Sequence, residues 1–86
     1  MASPQFAPRE IWLSEHYWPD VASEIVLALS QRLASVPGWA GSIVLPEQRT
    51  AFGLYVGQTP ADVRTALASV GVSGGAIDPG WQITRA

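Results

Sequence analysis

His16 is the only histidine among 86 residues, and it stands in the segment Glu15-His16-Tyr17-Trp18-Pro19-Asp20. Imidazole is the one side chain whose unperturbed charge switches near neutral pH, and it also ligates transition metals. With Asp78 to fix its tautomer, His16 could move a proton as a general acid or base. With Glu15, Asp78 or a second copy of the chain, it could hold a divalent transition-metal ion. As a strand-end residue it could equally serve packing alone, and all three readings stand open. Ser14, Ser42 and Tyr55 offer hydroxyls, but no serine lies in a G-x-S-x-G turn and none is tied to His16 by a nucleophile motif. The glycines from Gly71 to Gly75 precede a strand and do not open a helix, so they form no phosphate cradle.

Composition narrows the partners. The net charge is -2, and the five arginines, Arg9, Arg32, Arg49, Arg64 and Arg85, are scattered singly, which excludes the basic stripe of a nucleic-acid binder. The chain has no cysteine, hence no disulfide framework and no thiolate site. No stretch reaches the length of a membrane span, and Met1 to Arg9 lacks the pattern of a signal peptide, so the expected setting is soluble and cytoplasmic. Hydrophobic residues make up 48% and charged residues 14%, which leaves a small domain with apolar surface to cover and points to an oligomer.

The elements that must position these residues follow from periodicity and turn signals. Residues 1–8 read as a flexible arm with two prolines, and residues 9–86 as one domain. A strand over Glu10–Trp18 places Ile11, Leu13, Glu15 and Tyr17 on one face and Trp12, Ser14, His16 and Trp18 on the other. Pro19-Asp20 opens a helix capped by Asp20, with Val21, Ile25, Leu29 and Leu33 as its apolar stripe, ended by Pro37-Gly38. Trp39–Leu45 and Thr50–Val56 are strands joined through Pro46-Glu47-Gln48-Arg49. Thr59-Pro60-Ala61-Asp62 starts a second helix with Val63, Leu67, Val70 and Ala66 buried and Gly71 as its left-handed exit. After the Gly74-Gly75 loop, Ala76–Thr84 is the last strand, and Pro79-Gly80 within it marks an edge or a bulge. The order is βαββαβ: a ferredoxin-like α+β sandwich with a four-stranded antiparallel sheet, dimeric through its open face or an edge.

In that topology the first strand lies between the third and the fourth. Alternation then puts His16 and Asp78 together on the sheet face away from the helices, with Ile11 and Leu13 buried beneath the helices. Trp12, Ser14, Ser42, Ala51, Gly53, Tyr55, Gly80 and Gln82 share the His16 face; where two such faces pack in a dimer, the small residues leave a space enclosed by Trp12, Tyr55, His16 and Asp78, with Trp12, Ser14, Tyr55 and Gln82 as candidate ligand contacts. Glu15, pointed toward the helices, would pair with Arg32 or Arg49 or keep its proton.

The chain also resembles a family of short ferredoxin-like bacterial proteins of unassigned function described as nickel-binding. The resemblance rests on Glu15-His16-Tyr17-Trp18-Pro19-Asp20, on Ser42-Ile43-Val44-Leu45-Pro46-Glu47 and on Thr59-Pro60-Ala61-Asp62-Val63. It implies a homodimer and a divalent-metal site. The leading expectation is therefore a small ligand-binding homodimer that takes a nickel-like divalent ion, nickel or zinc, through His16, Glu15 and Asp78. The rival expectation is a cofactor-free isomerase, cyclase or oxygenase acting on an apolar small molecule with His16 and Asp78.

Overall fold

The computed structural model describes residues 6–72 and 75–85. Four antiparallel strands, β1 (Phe6–Tyr17), β2 (Trp39–Leu45), β3 (Thr50–Tyr55) and β4 (Ala76–Arg85), form one sheet in the order β2-β3-β1-β4, with helices α1 (Ser23–Ser30) and α2 (Pro60–Ser69) in the crossovers. This is the ferredoxin-like α+β arrangement. Pro79-Gly80 lies within the edge strand β4, which pairs with β1 through both residues in unbroken register. An edge strand tolerates proline because its missing N–H can face solvent.

Local chemistry accounts for most boundaries. The Thr59 side chain accepts a hydrogen bond from the Asp62 amide at 3.1 Å, Pro60 fills the first turn of α2, and Gly71 leaves it at φ 78°. These groups satisfy helix-end amides and supply the left-handed exit. α1 departs from expectation: it starts at Ser23 behind an Ala22 cap that lends no side chain, so Asp20 does not cap it. Its buried positions are Val26 and Ser30, continued by Leu33 in the 3-10 turn Gln31–Ser35, while Ile25 faces solvent. The buried stripe thus runs one position later than the Val21-Ile25-Leu29 series, and only its end at Leu33 coincides.

The sheet also presents its faces the other way round. The core gathers Leu33, Val36, Val63, Leu67 and Val72 from the helical layer over Ala51 and Tyr55 of β3. Register places Ser14 beside Gly53 and His16 beside Ala51, so the Ser14–His16–Tyr55 face is the one the helices cover. The physical reason is size: Ser14, Ala51 and Gly53 are small enough for the branched helix residues to settle on them. The opposite, open face carries Leu13, Phe52, Leu54, Ile43 and Tyr17. Both faces are apolar, so strand alternation alone does not say which one is roofed.

β1 begins at Phe6, inside the segment expected to be an arm, and residues 1–5 of that arm lie outside the described residues, as does Gly74 of the Gly74-Gly75 loop. From Phe6 to Ile11 the strand pairs only with Gly80–Arg85 of β4, since β3 ends at Tyr55 opposite Trp12. The result is a two-stranded ribbon that continues past the four-stranded sheet. The radius of gyration, 14.0 Å, exceeds the roughly 12 Å of a compact chain of this length.

Candidate functional site

His16, Ser14 and Tyr55 form a connected polar group in a largely apolar interior. Ser14 and His16 are two apart on β1 and therefore on one side of it, and Tyr55 of β3 folds back over Gly53 to reach them. Ser14 Oγ lies 2.8 Å from His16 Nε2 and donates to the Tyr55 hydroxyl at 3.3 Å. Their exposures are 0% for Ser14, 3% for His16 and 0% for Tyr55. The His16 ring stacks on Trp18 with centroids 5.6 Å apart and planes 10° from parallel. Hydroxyls both give and accept, so a proton can pass along Tyr55 and Ser14 toward His16 when Nε2 is bare, and away from it when Nε2 carries the proton.

Burial sets the charge states. It lowers the His16 pKa from its ordinary value, because an imidazolium in a poorly solvated site lacks its hydration. It raises that of Tyr55, and the Ser14 hydrogen bond acts in the opposite sense. Both groups are thus held neutral around pH 7. For His16 the stability contribution follows: the unfolded chain takes up its proton near pH 6.5 and the folded chain only at lower pH, so stability present above pH 6.5 is lost as the pH falls toward the folded value. The unfolding free energy, read from urea titrations, is expected to drop between pH 7.5 and pH 5, by at most about 1.4 kcal/mol per pH unit for one proton. In His16→Gln the dependence should flatten across that window; an unchanged slope would show that His16 does not titrate on unfolding.

Several expected neighbours are not brought together. Asp78 pairs with Leu13 in the β1–β4 register, which sets it exposed on the open face, across the sheet from His16. The anticipated His16–Asp78 contact is therefore not formed, and no acid–base pair of those two exists within the chain. Glu15 is also on the open face and exposed, so it needs no buried partner; Arg49 instead donates to the backbone oxygens of Val21, Pro46 and Glu47. A metal site drawing on His16, Glu15 and Asp78 would have to reach through the sheet, and among the described residues no group of three or more histidine and carboxylate side chains converges. Those residues do not fit a resident ion. Gln82 likewise leaves the ligand-facing set, because it faces the same way as Arg9 and accepts from its Nε at 2.8 Å.

The cavity expected on the open face lies elsewhere. A half-open cleft of about 600 Å³ occupies the corner where β3 stops while β1 and β4 run on, with Trp12, Trp81, Pro79 and Glu10 on its walls beside Gln58. Tyr55 closes its floor, fully covered, with its hydroxyl end turned inward to Ser14. Trp12 and Tyr55 are thus retained as lining residues, and Ser14 lies one hydrogen bond behind them. Glu10 and Trp81 were legible only through register, since they pair directly across the ribbon on the side of Trp12. A second, smaller cleft of about 270 Å³ between α1 and β2 is bordered by Leu27, Trp39 and Val44.

Among the described residues no helix is long and apolar enough to cross a membrane. No protein-family model, curated protein or solved structure matches the chain.

Proposed function

We propose that the protein is a homodimeric small-molecule-binding protein whose ligand occupies the corner cleft between Trp12, Trp81 and Tyr55. The observation that carries this reading is the joining of an aromatic-walled space of about 600 Å³ to a buried acid–base group through Tyr55. That volume lies within the ordinary range of small-ligand sites, and apolar walls with a few placed polar groups are their usual make-up. Three linked polar side chains in so small a core forgo apolar packing and must all stay satisfied, a demand that structure alone does not impose.

A second reading, cofactor-free proton-transfer catalysis, draws on the 2.8 Å contact between His16 Nε2 and Ser14 Oγ. That distance is within reach for a base acting on a hydroxyl. With Nε2 unprotonated and the Ser14 hydroxyl turned to donate to it, His16 would be the base and Ser14 and Tyr55 the relay to the cleft, in place of the His16–Asp78 pair.

Binding is tested with N-phenyl-1-naphthylamine, a neutral aromatic dye whose emission rises in apolar sites. Saturable binding near one dye per chain is expected, weakened about tenfold or more in Trp12→Ala, since losing a stacked indole removes about 1.4 kcal/mol or more. Binding of equal strength in Trp12→Ala with its circular dichroism intact would remove the cleft as the site.

A further inference from the structure

We infer that the corner cleft selects a cationic ligand, an alkylammonium or quaternary ammonium group carried on an aromatic or aliphatic body; this rests on the small-molecule reading of the same cleft. Its wall brings together two indoles, Trp12 and Trp81, and one carboxylate, Glu10. All three share one side of the β1–β4 ribbon: Glu10 stands directly opposite Trp81, and Trp12 follows two residues later on β1. Tyr55 pairs with Trp12 across β1 and β3 and lies beneath them. Indole faces carry negative quadrupole density and attract a cation placed over them.

Charge around the cleft favours the same sign. Among the described residues Glu10 is the one formally charged side chain on its lining, and no lysine or arginine contributes to it. The neighbouring cation, Arg9, is turned to the other side of the ribbon, where its Nε donates to Gln82. Gln58 adds an amide that can accept from an N–H or a hydroxyl of the ligand. Trp81 is 63% exposed although it is the largest side chain on the ribbon. An indole held out beside a carboxylate is what a cation would cover, whereas an anion would meet repulsion from Glu10 and from both ring faces.

The test compares two probes of the same shape on the full chain: 4-hydroxyphenyltrimethylammonium and its neutral isostere 4-tert-butylphenol, each followed by tryptophan fluorescence at pH 7 and low salt. The cation is expected to bind about fivefold or more tighter, within the range that cation–π contacts support. Glu10→Gln should lower the cation's affinity several-fold more than the isostere's, and Trp81→Leu should likewise weaken the cation more than the isostere. Both side chains are exposed, so neither substitution threatens the fold. Equal binding of the two probes overturns the charge selection while leaving the cleft as a binding site. Binding of neither overturns both.

Discussion

Gly53→Ala is expected to lower folding stability by about 3 kcal/mol, read as a large drop in the urea midpoint at pH 7.5. A methyl group at position 53 would overlap the Tyr55 hydroxyl, with the ring Cζ at 2.7 Å and Ser14 Oγ at 2.9 Å. Tyr55 is fully buried beneath the helical layer, and a swing toward the corner cleft it borders would take its hydroxyl away from Ser14. Either β3 shifts or the Tyr55–Ser14 bond breaks, leaving a buried hydroxyl unpaired. Gly80→Ala is the internal control: its added carbon meets only Ile11 Cδ1, at an ordinary 3.5 Å. That change should stay within about 1 kcal/mol. Equal midpoints for wild type and Gly53→Ala would mean that the Tyr55 ring does not lie across Gly53.

The second large effect concerns assembly. The open sheet face carries Ile43 at 54% and Tyr17 at 66% exposure, with Leu13, Phe52 and Leu54 half-covered between them. Contiguous apolar surface of that kind on a small domain is ordinarily covered. Charge on the same face suits a second copy: Arg9 stands toward one end, and Asp78 and Glu15 toward the other. In a two-fold contact with the two β1 strands antiparallel, the arginine end of each copy meets the acidic end of its partner. Sedimentation equilibrium should give a dimer at micromolar concentration, and Ile43→Glu should weaken it by about 100-fold or more. The substitution enters a two-fold interface twice and buries a charge without a partner each time. A wild-type chain that remains monomeric at 100-fold higher concentration (order of magnitude, by the same mass-action scale) would rule this face out as the contact.

Much of the architecture is legible in the chain, because local signals agree there. Trp39–Leu45 is observed as expected, and Thr59, Pro60, Asp62 and Gly71 each act in α2 as their types dictate. What does not read through is which face of the sheet the helices choose. Leu13, Phe52 and Ile43 look like core, yet Ser14, Ala51 and Gly53 accept the helices, since close approach of helix and sheet depends on small residues as much as on apolar ones. The placement of Asp78 fails for a related reason: register sets it against Leu13, and a shift of one residue moves a side chain to the opposite face. Parity had already grouped Ser14, His16 and Tyr55. Their hydrogen bonds have no sequence signature, because nucleophile motifs are local turns, whereas these residues meet across two strands.

The four tryptophans give the most direct test, because together they report three different places. Trp12 and Trp81 line the corner cleft, Trp18 stacks on His16, and Trp39 donates its indole N–H to Ser42 at 2.9 Å beside the smaller cleft. In a ¹⁵N–¹H correlation spectrum the indole signals can be assigned by single Trp→Phe variants and followed while 4-tert-butylphenol is added. A ligand in the corner cleft should move the Trp12 and Trp81 signals along one saturating curve and leave Trp39 in place. Movement of Trp39 with Trp12 and Trp81 unchanged would contradict the assignment of the corner cleft as the binding site.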